Sequence, residues 1–243
     1  MTPQSPTTQP KTALVPRRAL RDGVYDAILE KLLDGSTPPG SSLNIDSLSR
    51  ELGVSQTPVR EALVQMEHTG LISRTALKGY RVAPPLSAAQ MTELMDARAV
   101  VEIAAVERAA PRAAELLPDL RAAHARHVLA AHQVARLRGG EGPPTGYADL
   151  RECFTADWDF HLVIIRAAGN HFLAQMAESL NAHAHRLRQS VDHGTFDTAQ
   201  AVAEHAAILA AFESEDPAAP VAAMRAHLTA IDHRSHAEED ADA

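Results

Sequence analysis

Cys153 is the only cysteine among 243 residues, so no disulfide can close within the chain. No apolar run approaches the roughly 18 residues that a membrane span requires. The opening MTPQSPTTQPKT lacks the apolar core of a secretion signal. Residues 1–16 read instead as a disordered tail and 237–243 as a disordered acidic one. By elimination the expectation is a soluble cytoplasmic protein with no membrane partner. Lysine is scarce as well: only Lys11, Lys31 and Lys78 accompany the arginines. With abundant alanine, that imbalance fits a GC-rich genome rather than a particular chemistry. No HExxH occurs, and after Ser87 no segment reads as a strand.

What remains is ample for buried cores, in one large or two modest domains, with 45% hydrophobic residues. The net charge of −8 argues at first against a nucleic-acid partner. The charge is uneven, however. Residues 1–85 hold 10 Lys+Arg and 8 Asp+Glu, whereas 86–243 hold 13 and 23. A mildly basic part, with Arg50, Arg60, Arg74, Lys78 and Arg81 clustered, precedes an acidic remainder that touches something else.

The segment LNIDSLSRELGVSQTPVREAL (43–63) carries the most information. Leu48 and Leu52 lie four apart on one helical face that stops at Gly53, a residue suited to a helix C-terminus. Ser55 is placed to cap a second helix with its hydroxyl. Pro58 falls in the first turn, where a missing N–H costs nothing. Val59, Leu63 and Met66 turn inward, leaving Gln56, Thr57 and Arg60 outside. Two short helices around a tight turn, with amide, hydroxyl and guanidinium groups at an exposed helix start, suit the DNA major groove.

Around that motif, Val24, Ile28 and Leu32 predict a helix over 20–35, closed by the STPPG turn. The apolar runs 71–73 and 80–83 flank TALKG and predict a β-hairpin, the wing of a winged helix. Pro84–Pro85 closes this 17–85 unit as a linker. Beyond it, helical stripes recur at 88–110, 115–138, 148–168, 171–192, 197–214 and 217–235. Pro111, GGEGPPTG (139–146), Gly169–Asn170, His193–Gly194 and Asp216–Pro217 break them. The expected fold is mainly α: an N-terminal winged helix-turn-helix, then an all-α antiparallel helical bundle over 86–236.

The stretch PGSSLNIDSLSRELGVSQTPVREALVQMEHTGLI resembles the winged-helix domain of the GntR family of bacterial transcription regulators, and TPVREAL is its most specific part. The helical remainder resembles the FCD ligand-binding domain of that family's FadR-type branch, so that the likeness spans roughly 18–235. It implies a homodimer on a short palindromic operator in double-stranded DNA, responsive to a small metabolite. It also places Gln56, Thr57 and Arg60 on the recognition helix and Gly79 at the wing tip. Arg60 is the expected bidentate reader of guanine, worth about 1–3 kcal/mol of discrimination. Its plain alternative is an ion pair with Glu61 or Glu67. Ser55 and Thr57 are expected on phosphates, with Arg50 and Lys78 also on the DNA side, although Lys78 reads equally as a solvated charge. Relatives commonly carry arginine where this chain has Gln56. Glutamine prefers adenine, so the family's usual half-site does not carry over.

A second constellation lies in the bundle. Asp157 and His161 stand four apart on the stripe marked by Phe154, Trp158 and Ile165. His205 sits between Val202 and Ile208–Leu209, and His227 between Met224 and Leu228–Ile231. All four therefore point inward, where an unpaired ionisable group is expensive. The short Asp216–Pro217 turn makes the helices of His205 and His227 neighbours. Imidazole and carboxylate suit a divalent ion, with zinc first and Ni, Fe or Mn as alternatives, and leave positions open for a carboxylate effector. FCD domains of the metal-binding type show the same Asp-x3-His with two later histidines. His124, His127 and His132 read as surface or packing residues. His183 and His185 lie on a helix that could line the cavity, and His193, His233 and His236 lie near segment ends.

Arg98 shares the stripe of Met91, Leu94, Met95, Val101 and Ala105. It either pairs with Glu102 or clamps an effector carboxylate. The reading is thus a DNA-binding repressor, not an enzyme, released by a small organic acid held at the metal. Two alternatives stand beside it. One is a metal-dependent enzyme, which leaves the winged helix unexplained and lacks an evident general base. The other is a regulator whose metal is purely structural.

Overall fold

The computed structural model describes residues 17–33, 36–75, 79–84, 86–138, 147–190 and 198–237. Both predicted tails (up to the final residue of the last helix), Lys78, Pro85, the GGEGPPTG break and the His193–Gly194 break lie outside them, as do the side chains of His183, His185 and His236. None of the described helices is long and apolar enough to cross a membrane.

The fold is the expected one: a winged helix followed by a helical bundle. Helix α1 (Arg17–Leu33) buries Val24, Ile28, Leu29 and Leu32. Helix α2 (Ile45–Glu51) begins at Asn44, whose side chain accepts from the Ser47 N–H at 3.0 Å. It ends at the turn through Gly53, whose φ of +65° suits a residue without a Cβ. Helix α3 (Gln56–His68) seats Val59, Ala62, Leu63 and Met66 with no exposed area against α1 and the sheet. Burying a side chain such as Leu63 contributes about 1.5–3 kcal/mol.

The predicted hairpin is present as β2 (Ile72–Thr75) and β3 (Gly79–Val82), antiparallel, with Thr75 opposite Gly79. A strand not anticipated, β1 (Ser42–Leu43), joins the free edge of β3 and gives the order β1-β3-β2. Two residues are too few to display the alternation by which strands are recognised. The Arg81 guanidinium donates to the Gly40 carbonyl at 2.8 Å, tying the sheet to the turn ahead of it.

In the bundle, α4 (Ala88–Ala109) opens with a reciprocal cap between Ser87 and Gln90. It closes in a 3-10 turn at Ala110–Arg112 around Pro111. Helices α5 (Ala113–Arg138), α6 (Tyr147–Ala167), α7 (His171–Ser190), α8 (Thr198–Glu213) and α9 (Ala219–Ala237) follow. Asn170 caps α7, accepting from the Phe172 N–H at 3.0 Å. The central core joins Leu120 of α5, Phe160 and Ile164 of α6, Ile208 of α8 and Met224 of α9. Helix α1 of the winged helix rests on α6 and α7, with Arg151 Nη1 at 3.8 Å from Asp26 Oδ2.

Candidate functional site

On the winged helix, Gln56, Thr57 and Arg60 are exposed on the outer face of α3. Arg60 Nη2 donates to Gln56 Oε1 at 3.3 Å, and Gln56 Nε2 donates in turn to Asp46 of α2. Arg60 is thus tied to Gln56 on its own helix. Arg50 folds back on α2, its Nε donating to the Asp46 carbonyl at 3.2 Å. Gly79, at the start of β3, has φ +78°, a conformation that suits a residue without a Cβ. One expectation fails. Ser55 holds the extended backbone of an N-cap residue, but its hydroxyl makes no capping hydrogen bond. Pro58 removes one N–H of the first turn outright.

In the bundle, α6 supplies Asp157 and His161 from successive turns, α8 supplies His205 and α9 supplies His227. The three histidines are exposed by 2% or less, whereas Asp157 keeps a quarter of its side chain accessible. His161 Nε2 and His205 Nε2 lie 3.2 Å apart, and Asp157 Oδ1 is 3.6 Å from the latter. One ligating atom from each of His161, His205 and His227 falls within 4.8 Å of the others. Two nitrogens bound to one ion at about 2.0–2.1 Å stand roughly 3.0–3.4 Å apart, which the His161–His205 pair satisfies. Among the described residues, His227 Nε2 is buried without a hydrogen-bond partner. An orphaned imidazole nitrogen beside two converging ones fits a cation site, and a protein-only account leaves it unexplained.

Each ring is held from behind. The Glu204 carboxylate lies 2.7 Å from His227 Nδ1 and takes two bonds from Arg234, at 2.6 and 3.0 Å. Glu102 Oε2 approaches His161 Nδ1 to 2.6 Å, although off the line of a well-formed N–H···O bond, and Glu102 Oε1 accepts from Arg98 Nε at 2.8 Å. Phe160 stacks on His205, with ring centres 4.2 Å apart and planes 12° from parallel. Trp158 stacks on His161, and Arg98 lies over the Trp158 ring at 5.8 Å.

These surroundings set the charge states. Burial pushes His205 well below the ordinary histidine value, and neighbouring His161 and His227 add to the effect. Burial also lowers His227, against the opposing pull of Glu204. Burial raises the Glu102 carboxyl, but Arg98 and His161 outweigh it and hold it well below the carboxylate range. Glu204 is likewise raised by burial, yet its bonds to His227 and Arg234 bring it down to about 2. His205 and His227 are thus held neutral beside ionised Glu102 and Glu204, the state in which histidine ligates metal.

Of the four residues expected at the metal, His161, His205 and His227 converge, Asp157 groups with His205 and His127, and Arg98 adjoins the cluster through Glu102. Three others were not anticipated: His127, Glu204 and Arg234. His127 was read as a surface or packing residue, but it is 1% exposed and its Nδ1 lies 3.0 Å from His205 Nδ1. Its stripe of Ala123, Ala130 and Val134 was available as a signal. Glu204 and Arg234 carry no sequence signal beyond lying next to His205 and one turn past Ile231.

Residues 20–82 match the bacterial regulatory proteins of the gntR family, and residues 93–230 match the FCD domain. The chain is 28% identical over 214 residues to the HTH-type transcriptional repressor GlaR of Escherichia coli K12, covering 84% of this chain and 90% of that protein. An uncharacterized HTH-type transcriptional regulator in an unstable DNA locus of Streptomyces ambofaciens is 28% identical over 217 residues, or 88% and 84% of the two chains. The fold is similar to that of E. coli McbR/YncC, with a TM-score of 0.71 at 19% identity over 90% of this chain and 98% of the other.

Proposed function

The chain belongs to the GntR family of bacterial transcriptional regulators, with an FCD domain behind its winged helix, and we propose that it is a homodimeric repressor relieved by a small organic acid. The operator is a palindrome in double-stranded DNA, met by Arg60, Gln56, Thr57 and Ser55 of the recognition helix, by Arg50, and by Lys78 and Gly79 of the wing. The acid binds at a divalent ion, zinc first, held by Asp157, His161, His205 and His227.

The observation that carries this reading is the 3.2 Å approach of His161 Nε2 to His205 Nε2 beside His227 Nε2, which has no hydrogen-bond partner among the described residues. Three histidines and one carboxylate leave positions open on an octahedral ion such as Ni, Fe or Mn, whereas zinc takes the acid only by expanding beyond its usual four ligands. When bound, the ion supplies a Lewis-acidic anchor for a carboxylate oxygen. The partly accessible Asp157 marks the side from which an acid enters. Arg98, beside the site through Glu102, adds a cationic clamp for the same carboxylate. To release DNA, the acid must bind one arrangement of the paired winged helices better than another. The name GlaR, a repressor, supports this sign of regulation by analogy.

The test is selection of genomic fragments on the purified, metal-loaded protein, followed by sequencing. A short inverted repeat upstream of a few genes is expected, and candidate acids taken from those genes should release it. Uniform, salt-sensitive retention without a shared motif would sink the reading. Stripping the metal should abolish the response to acid while leaving DNA binding. Collapse of the fold would make the ion structural instead.

A further inference from the structure

His161 and His227 each turn their second ring nitrogen towards a carboxylate, Glu102 and Glu204. His205 does not. Its Nδ1 meets another imidazole nitrogen, His127 Nδ1 of α5, at 3.0 Å. Two imidazole nitrogens at that distance share a single proton: one carries it and the other accepts. The far side of His205 decides which. Its Nε2 faces His161 Nε2 at 3.2 Å and Asp157 Oδ1 at 3.6 Å. A ligating nitrogen presents a lone pair, so with Nε2 as ligand the proton of His205 resides on Nδ1. His127 then accepts through Nδ1 and carries its own proton on Nε2, which faces Asp157 Oδ1 at 3.9 Å.

We infer that His127 is the positioning residue of this site, accepting from His205 Nδ1–H and fixing the tautomer that frees His205 Nε2 for a divalent cation. The inference rests on the metal reading above and deepens it.

The experiment uses the full-length, metal-stripped protein titrated with Zn(II) against a chromophoric chelator, and with Co(II) followed by its visible absorption. Four proteins are compared: the parent, His127→Asn, His127→Leu and His161→Ala. Asparagine sets an acceptor oxygen where His127 Nδ1 lies, whereas leucine fills the space without one. His127→Leu should lose about 10–100-fold in Zn(II) affinity, as removal of an outer-shell partner does, and His127→Asn should recover most of it. The Co(II) spectrum should keep its shape in both. Equal weakness of the asparagine and leucine variants overturns the inference, as does parental affinity in His127→Leu. An altered Co(II) spectrum in His127→Leu also overturns it, by making His127 a ligand. His161→Ala separates the two readings: if it binds as tightly as the parent, the ion is elsewhere and the metal site itself is wrong. Should His127→Leu not fold, long-range 1H–15N spectra of the zinc-loaded parent decide. His127 protonated on Nε2 is expected, and protonation on Nδ1 refutes the inference.

Discussion

Arg98 and Glu102, one turn apart on α4, form an ion pair with Nε 2.8 Å from Oε1, both side chains at least 94% buried. The other oxygen of Glu102 faces His161, so this carboxylate neutralises a buried cation and orients a ring at once. Glu102→Gln should cost about 3–5 kcal/mol, because it strands a buried guanidinium, and should weaken metal binding about 10–100-fold. Urea unfolding of the metal-free protein and Zn(II) competition measure the two effects. The double replacement Arg98→Met with Glu102→Leu should regain part of the stability. If the double variant is as unstable as the single one, packing rather than the pair is responsible.

On the DNA side, Arg60→Ala should cost about 1–3 kcal/mol against the selected operator and loosen preference at one base position. Arg50→Ala should weaken all sequences alike and flatten the salt dependence by about one unit of slope. Because Gln56 joins Arg60 to Asp46, the losses from Gln56→Ala and Arg60→Ala should combine less than additively. Fluorescence anisotropy over a range of salt concentrations separates these outcomes, and strict additivity would show that the chain is idle.

Metal-free protein should lose stability as the solution becomes mildly acidic. Burial holds His205, His227 and His127 below the ordinary histidine value, whereas the unfolded chain titrates near pH 6.5. Protons therefore bind the unfolded state first. Stability is full above about pH 6.5 and falls as pH drops from there towards the folded values. A second loss follows from Glu204, depressed from 4.5 to about 2, as pH falls through that interval. Urea midpoints from pH 8 to pH 5 test the first window, and a flat profile would contradict neutral buried rings.

Leu63→Ala should remove about 2–5 kcal/mol from the winged helix, a large share of the 5–15 kcal/mol typical of a domain. Operator binding should fall with it, while Zn(II) affinity in the bundle stays unchanged. Loss of both together would show that the two units unfold as one.

Much of this architecture is legible in the sequence because its helices are amphipathic in the ordinary way. Val24, Ile28 and Leu32 mark α1, and Val59, Leu63 and Met66 mark α3, each set at the helical period and each buried. His205 and His227 show themselves by interrupting apolar stripes. His127 interrupts one as well, but its neighbours Ala123 and Ala130 are small, and alanine weighs too little to separate a core face from a surface one. Strand β1 escapes notice because it exists only through its pairing with β3. Arg98 left two partners open since a helical stripe gives direction but no distance. The 2.8 Å contact supplies the distance to Glu102.

Helix α6 belongs to both halves of the molecule. Arg151, near its start, faces Asp26 of α1, and Asp157 and His161 follow on the same unbroken rod. A loop between them would absorb an inserted residue, but a helix has no slack: one extra residue turns everything on one side by about 100° relative to the other. An insertion between Arg151 and Asp157 would therefore leave the bundle cluster whole and swing Arg151 away from Asp26. The spacing along α6, and not only the residues it carries, sets where Arg151 stands relative to His161.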